Sequence, residues 1–292
     1  MKKTFAILSL LMFVLLSACS ISAIANPTNT STPSSTPVPP TLTSTATATE
    51  TPTPVPPTLT PTPTWSFQPA GEVTCPILLY HQISDAGTLY YVSPSDFQAQ
   101  MEALRDWGYT AIPISLLVKA ITQGASLPPR PVVISFDDGD ENVYTNAFPI
   151  MYDLGFPGVL YIVSNYMDAK DHLSTAEVLE MVAAGWEVGD HSLSHINLLD
   201  NPAETWTQAA QSRKDLQEAL NVPVDTFAYP FGAADAHIMG KISEFGYTAA
   251  VGLVGGYVQG PDNLFYLSRI EVPYGATLDD FASLLPWSGS VP

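Results

Sequence analysis

Two short groups of polar residues, far apart along this 292-residue chain, carry its clearest chemistry. Asp137 and Asp138 follow the apolar run PVVISF, and His191 and His195 follow the short run WEVGD. One carboxylate and two imidazoles form a three-ligand set for a divalent metal with a position left for water. The second carboxylate is then free to act as a base. Together the two groups predict a metal-dependent hydrolase.

Each group alone has a simpler interpretation. Asp-Asp-Gly is a common turn sequence, and a single histidine is more often a core or surface residue than a ligand. The metal interpretation is favoured because both groups follow predicted strands. Two adjacent carboxylates repel each other, and a bound cation relieves that cost. We expect Zn²⁺ first, with Co²⁺, Ni²⁺ or Fe²⁺ as alternatives.

The elements that must position these residues alternate between short apolar runs and amphipathic stretches, as β-α units do. Strands are predicted at 76–80, 131–136, 158–163, 186–189, 226–228, 248–251 and 265–269. Helices are predicted at 94–107, 141–154, 174–184, 203–220 and 236–245. Seven or so strands with intervening helices predict an α/β fold, a barrel-like arrangement with the catalytic residues at the C-terminal strand ends.

The first residues of the chain predict export. Residues 1–19 begin with two lysines, continue with an apolar stretch and end in Leu-Ser-Ala-Cys, which resembles the lipobox of bacterial lipoproteins. Cys19 is then the lipidation site, and the protein is exported and lipid-anchored at the cell surface. An ordinary signal peptide cut near residues 22–25 is the alternative.

Residues 20–70 are predicted to be a disordered Pro/Thr-rich linker, because proline and short polar residues bury too little to form a core. Residues 71–292 are predicted to be one catalytic domain. Only Cys75 remains beside Cys19, so an acylated Cys19 leaves no intramolecular disulfide. Nothing in the sequence indicates assembly, and we expect a monomer.

The formal net charge of −18 argues against nucleic acid and anionic lipid as partners, so membrane contact is expected only through the lipid anchor. The charge suits a polymer that becomes cationic as it is processed. A generic acidic extracellular surface explains the charge equally well.

Five sequence motifs resemble the polysaccharide deacetylase family, carbohydrate esterase family 4. They are YHQIS at 80–84, SFDDG at 135–139, HSLSH at 191–195, AYPFG at 228–232 and LSRIEV at 267–272. Their order is most similar to the poly-N-acetylglucosamine deacetylase branch, and the resemblance covers about residues 74 to 285. It implies a distorted (β/α) barrel with about seven strands, a divalent metal and an acetylated polysaccharide as substrate.

The resemblance also implies roles for the residues. Asp138, His191 and His195 match the metal ligands, and Asp137 matches the general base. In the branch that the chain resembles, the histidine of the opening motif is the general acid, which is His81 here.

The fourth motif, AYPFG, implies an oxyanion donor and departs from the family pattern. The backbone N–H of Phe231 matches the donor, and Tyr229 and Pro230 beside it are predicted to bind substrate. Ala228 stands where the family has the arginine that orients the base. Arg269 in the late motif is predicted to bind substrate and is also a candidate to orient Asp137.

Three functions remain open from the sequence. The favoured one is an N-deacetylase of a polymer containing N-acetylglucosamine. An O-acetyl xylan esterase uses the same kind of site, and a catalytically silent glycan-binding module would explain the missing arginine. Trp186, Trp206 and Trp287 are candidates for stacking on sugars, although at least two are expected in the core. Asp190 either orients an imidazole or ends its strand.

Overall fold

The computed structural model describes residues 64–87 and 89–289 of the chain. The predicted export signal, Cys19 and the predicted linker up to residue 63 lie outside these residues. Within the described part, no helix is both long enough and apolar enough to cross a membrane.

The described chain alternates strands with helices along most of its length. The strands are β1 (Ser66–Gln68), β2 (Val73–Thr74), β3 (Ile77–Tyr80), β4 (Gln82–Ile83), β5 (Tyr91–Val92), β6 (Thr110–Ala111), β7 (Ala125–Leu127), β8 (Pro131–Phe136), β9 (Val159–Ile162), β10 (Glu187–Asp190), β11 (Val224–Ala228), β12 (Ala249–Val251), β13 (Val258–Gln259) and β14 (Ile270–Glu271). The helices are α1 (Pro94–Asp106), α2 (Ile114–Gln123), α3 (Phe148–Leu154), α4 (Thr175–Ala183), α5 (Ser212–Leu220), α6 (Ala236–Glu244) and α7 (Leu278–Ser283). Shorter π-helical and 3-10 turns lie at Val143–Ala147, Pro202–Glu204, Trp206–Gln211, Pro230–Gly232 and Pro261–Asn263.

One parallel sheet organises the molecule. Its strands lie in the order β12-β11-β10-β9-β8-β3-β14, and β6 pairs with the start of β8. Leu267, just before β14, forms a parallel bridge with Val251 of β12, so the two edges of the curved sheet approach each other. The predicted α/β fold, a distorted barrel of about seven strands, is confirmed.

Alternate residues along the central strands enter two different cores, as the two-residue repeat of a strand requires. In β8, Val133 packs with Ile77 and Tyr161 inside the curve of the sheet. Ile134 and Phe136 pack in the outer core, between the sheet and helices α1, α3, α4 and α5. The inner face of β8 continues through Ser135 towards Asp137, and this alternation delivers the site residues to the interior of the barrel rim.

Two predicted helix starts are confirmed in detail. The Ser93 hydroxyl accepts a hydrogen bond from the Asp96 N–H at 3.0 Å, so Ser93 caps α1. Ser174 and Glu177 form a capping box at the start of α4, each side chain accepting from the other residue's backbone N–H.

Some predicted boundaries are wrong. The last strand lies at Ile270–Glu271 instead of 265–269. Within the predicted range, only Leu267 forms a β-bridge, and its partner is Val251 of β12. The predicted linker extends too far, since Ser66–Gln68 pairs with β7 as a regular antiparallel strand. Helix α2 was not predicted from the sequence, because Pro113 at its start provides no side-chain cap.

Candidate active site

The turn after β8 separates two adjacent carboxylates. The Asp137 N–H donates to the Tyr80 carbonyl at 3.0 Å, so the strand ladder continues to this residue. Asp138 and Gly139 then both adopt left-handed backbone conformations, with φ of 71° and 81°. Aspartate tolerates this region better than most residues, and glycine adopts it without strain. The sharp turn allows Asp137 to stay on the inner face while Asp138 leaves it.

The loop after β10 is held by hydrogen bonds to neighbouring segments and by one of its own hydroxyl groups. The His191 N–H donates to the Ile162 carbonyl at 2.9 Å, and the His195 N–H donates to the Ser192 hydroxyl at 2.9 Å. Ser192 and His195 both have positive φ, at 71° and 54°. The Leu193 N–H donates a hydrogen bond to the backbone carbonyl of Gln208 at 2.9 Å. These bonds bring both imidazoles to the same end of the barrel as the carboxylates.

Asp138, His191 and His195 form a compact cluster, named here the ligand trio, whose candidate ligand atoms all lie within 4.8 Å of one another. Asp138 Oδ1 is 3.6 Å from His191 Nε2 and 3.4 Å from His195 Nε2. Ligand atoms about 2 Å from a tetrahedral zinc lie roughly 3.3 Å apart, so the two separations from the carboxylate to the imidazoles are close to those that such an ion requires.

The protonation of the trio also fits a cation. His191 Nδ1 donates to the Ala228 carbonyl at 2.9 Å, which leaves the Nε2 lone pair facing Asp138. Among the described residues, Asp138 Oδ1 is buried and has no hydrogen-bond partner. Burial, and then the neighbouring His191, hold the pKa of His195 below its usual value and favour the neutral imidazole that binds metals. A carboxylate oxygen facing a lone pair is unfavourable unless a cation lies between them.

Asp137 is paired with a buried arginine. Arg269 Nη1 and Nη2 donate to the two Asp137 carboxylate oxygens at 2.6 Å and 2.7 Å. Burial alone would raise the pKa of Asp137, but Arg269 and then His191 oppose it, and the pKa falls to about 2. Asp137 Oδ2 is 3.6 Å from His191 Nε2. An ionised carboxylate is therefore held beside the ligand trio at neutral pH.

A cavity of about 340 Å³ opens above these residues. Its lining includes His81 on one side and Phe231 on the other. The Phe231 ring is 62 % exposed and lies edge-on to His195, with ring centroids 4.7 Å apart. His81 is partly buried, with its ring 5.1 Å from that of Tyr90 and its Nδ1 3.9 Å from Glu271 Oε1. The volume lies within the range of small-molecule binding sites.

Comparison with known proteins agrees with this geometry. Residues 124–250 match the family model described as polysaccharide deacetylase. This part of the chain is a polysaccharide deacetylase domain. The matched range contains Asp137 and the ligand trio, whereas His81 and Arg269 lie outside it.

Individual relatives extend the similarity beyond the matched range. A Staphylococcus aureus poly-beta-1,6-N-acetyl-D-glucosamine N-deacetylase is 27% identical over 198 residues, which are 63% of this chain and 68% of that protein. A crystal structure of a Bacillus cereus polysaccharide deacetylase has a TM-score of 0.66 at 29% identity, covering 73% of this chain and 69% of the other. The structure of IcaB from Ammonifex degensii shares the fold, with a TM-score of 0.62 at 24% identity over 74% of this chain and 96% of that one.

Two of the predicted substrate residues, Tyr229 and Arg269, have buried side chains that are hydrogen-bonded within the protein. The Tyr229 side chain is fully buried, and its hydroxyl donates to the Phe265 carbonyl at 2.9 Å. Pro230 is also buried, and Arg269 is 1 % exposed. Tyr229 and Arg269 border the cavity, but their polar groups are already bound within the protein. A substrate contact by these residues would have to use main-chain atoms.

The tryptophans and Asp190 lie away from the deacetylase cavity. Trp186 is buried against Phe136, and Trp287 packs against Tyr109. Trp206 is 58 % exposed, but it is not among the residues that line the cavity. Asp190 accepts hydrogen bonds from the hydroxyls of Ser212 and Tyr247 rather than from an imidazole.

Sequence reasoning missed two residues of the deacetylase cavity, Tyr90 and Glu271. Tyr90 lies in the irregular segment before β5, where no periodicity marks its orientation. A signal for Glu271 was available, because it stands two positions after Arg269 and residues so spaced on a strand share a face.

Proposed function

We propose that this protein is a metal-dependent N-deacetylase of a polymer that contains N-acetylglucosamine, acting at the cell surface. The observation that carries the proposal is the buried, unpartnered Asp138 oxygen facing two imidazoles beside the arginine-paired Asp137. The similarity to the S. aureus poly-beta-1,6-N-acetyl-D-glucosamine N-deacetylase supports the substrate class.

The ligand trio would hold the divalent metal, with Zn²⁺ first among the candidates and Co²⁺, Ni²⁺ or Fe²⁺ as alternatives. When bound, the metal would supply a Lewis acid and a water of lowered pKa. Asp137 accepts the proton of the attacking water. Its low pKa keeps it ionised across the neutral range, and the Arg269 pair holds both of its oxygens in one orientation.

The remaining steps use the two walls of the cavity. The Phe231 N–H stabilises the oxyanion that forms when water adds to the acetamide carbonyl. His81 donates a proton to the departing nitrogen as the C–N bond breaks. The products are acetate and the free amine of glucosamine, so the polymer gains positive charge as the reaction proceeds.

The N-terminal residues complete the proposal. Residues 1–19 would direct export, acylated Cys19 would provide the only membrane contact, and the linker would extend from residue 20 to the first strand of the domain. A C19A variant is expected to leave the membrane fraction, and a wild-type protein that fractionates as soluble material would contradict the anchor.

The test uses the full chain in detergent, stripped with a chelator and then given Zn²⁺, Co²⁺ or Ni²⁺. Acetate release is measured from N-acetylglucosamine pentamers with β-1,6 or β-1,4 linkages and from acetylated xylan. Wild type should release acetate from an N-acetylglucosamine oligomer only with metal. D137N should bind metal but lose about 10²- to 10⁴-fold in kcat, while D279N, on the exposed face of α7, should resemble wild type.

Two results would contradict the proposal. Release from acetylated xylan alone would make the protein an O-acetyl esterase. Metal binding without release from any substrate would indicate a glycan-binding module.

A further inference from the structure

A second depression of the surface lies outside the deacetylase cavity, between helices α3 and α4. Its volume is about 770 Å³, and it shares no lining residue with the cavity beside the ligand trio. A smaller depression of about 340 Å³ adjoins it, since Tyr152 and Ala184 line both. We name the two depressions together the outer groove. Two adjoining compartments can hold successive units of an extended chain.

Aromatic rings form the floor of the outer groove. Tyr144, Phe148 and Tyr152 lie four residues apart on the continuous helical stretch 143–154, which places them on one face. The rings of Tyr144 and Phe148 are 5.7 Å apart at 22°, and those of Phe148 and Tyr152 are 5.9 Å apart at 66°. Phe148 packs in the core against Trp186, whereas Tyr152 is 64 % exposed. The buried ring supports the exposed ones, which are free to stack on a pyranose.

The charge of the outer groove is negative. Among the described residues that line it, Asp153 and Glu180 are the charged ones, and both are exposed. The bordering stretches 143–154 and 175–183 contain neither lysine nor arginine. The Tyr144 hydroxyl donates to Glu180 Oε2 at 2.8 Å, which holds this carboxylate beside the aromatic floor. Carboxylates beside aromatic faces are complementary to a cationic sugar, because the rings also attract cations.

We propose that the outer groove binds the deacetylated, cationic stretches of the polymer, and this choice of ligand rests on the proposed function. Tyr144 and Tyr152 stack on glucosamine rings, and Asp153 and Glu180 accept hydrogen bonds from their ammonium groups. Hydrolysis creates the charge that the groove recognises, so the affinity for the polymer grows as acetyl groups are removed. The domain is thereby retained on a chain that it has begun to process.

Two other occupants are less well matched to these residues. A fully acetylated chain offers no positive charge to Asp153 and Glu180. A proline-rich segment, such as residues 51–63 of this chain, is of a kind that docks on aromatic grooves, but it contains no lysine or arginine. Binding of either occupant would depend little on salt, whereas binding of a cationic sugar is screened by it.

The experiment measures binding to the full chain in detergent, with D137N in every variant so that acetylated ligands are not consumed. Calorimetry at pH 6 counts the equivalents of a glucosamine hexamer that bind and gives the Kd of each. One equivalent should weaken about five- to tenfold in Y152A, because an aromatic face is lost. Y90A should leave this equivalent unchanged, since Tyr90 borders only the deacetylase cavity. F67A is the matched control, because Phe67 of β1 is an equally exposed ring at 68 %.

The charge is tested without removing a ring. The double change D153N/E180Q should weaken the same equivalent about threefold for each carboxylate, and E180Q still provides an acceptor for the Tyr144 hydroxyl. Added salt should weaken it similarly in the parent protein and little in the double variant. An N-acetylglucosamine hexamer should bind the groove about tenfold more weakly than the glucosamine hexamer. E218Q/D279N, which removes exposed carboxylates of α5 and α7, is the control and should match the parent protein.

Every other outcome overturns the inference. If no bound equivalent responded to Y152A, the outer groove would not be a sugar site. Equal, salt-independent binding of both hexamers would make it a site for neutral glycan. Binding of a peptide of residues 51–63 in place of the hexamers would assign the groove to the proline-rich segment.

The two proposals fail separately. Acetate release by wild type, without an equivalent that responds to Y152A, would overturn this inference and leave the proposed function intact. Binding of the glucosamine hexamer in the groove, in a protein whose wild type releases no acetate, would overturn the proposed function alone.

Discussion

Two buried carboxylates on the same sheet behave in opposite ways. Asp137 follows β8 on the inner face and is 2 % exposed, and Asp190 ends β10 on the outer face and is fully buried. The pKa of Asp137 falls to about 2, because Arg269 outweighs the cost of burial. Burial raises the pKa of Asp190 to about 7, since Ser212 and Tyr247 offset it only in part. The charge of the partner, rather than the depth of burial, decides which form is stable.

The comparison distinguishes a buried carboxylate of the candidate active site from one that only supports the fold. The inner face of the sheet carries three charged residues that line the cavity, namely Asp137, Arg269 and Glu271. On the outer face, Asp190 is bonded only to neutral groups and cross-links the sheet to α5 through Ser212. A buried carboxylate is therefore a functional candidate when a fixed cation keeps it ionised beside a cavity.

The largest expected effect on stability follows removal of the inner-face cation. R269M leaves the Asp137 carboxylate buried without its partner, so its pKa should rise and the folded state should lose about 3–5 kcal/mol at pH 7. Urea unfolding measures the change. R105M, which removes an exposed arginine of α1, should cost at most about 1 kcal/mol. If R269M unfolded at the same urea concentration as R105M, the ion pair would not determine the state of Asp137.

An intermediate effect is expected from the pH dependence of the outer-face carboxylate. The folded-state pKa of Asp190 is raised to about 7, so its protonated form is stable in the fold at low pH. Stability is therefore lost as pH rises from about 4 to about 7. In D190N this component is absent, and its free energy of unfolding relative to wild type should improve by on the order of 4 kcal/mol over that range. A constant difference across the range would show that Asp190 is ionised in the fold.

Asp137 should show the reverse dependence. Its pKa is depressed in the folded state, so its contribution is present above about pH 4 and is lost as pH falls towards 2. Unfolding followed from pH 5 to pH 2 should show wild type losing more stability than D137N. Parallel curves for the two proteins would contradict this assignment.

The smallest expected effect concerns the exposed aromatic ring beside His81. Tyr90 is 58 % exposed and borders the cavity, whereas Trp206 is 58 % exposed elsewhere. Y90A should raise KM for a long N-acetylglucosamine oligomer by up to about tenfold, because a pyranose face loses its aromatic partner. Y90F should keep the wild-type KM, since the ring provides the contact. W206A is the control, and an equal rise in its KM would exclude a specific role for Tyr90.

Much of the fold could be predicted because its signals are local. The apolar run 131–136 was predicted as a strand with the bounds that β8 has, and the helix predicted from residue 174 begins at the capping box of Ser174 and Glu177. The last strand was misplaced, since β14 has two residues and too little sequence to show a periodicity. Helix α2 was not predicted, because Pro113 before it has no side chain that could cap the helix.

The sequence alone determined the residue types and spacings that a metal site requires. The Asp-Asp-Gly turn and the two histidines of HSLSH are local patterns, and their places after strands predicted one rim. The tertiary structure decided which partners meet there. Arg269 reaches Asp137 across 132 residues of chain, and Glu271 reaches His81, because β14 lies beside β3 and β3 beside β8. Strand alternation is a local property, but the neighbours of a strand depend on burial of the whole sheet, which no short segment specifies.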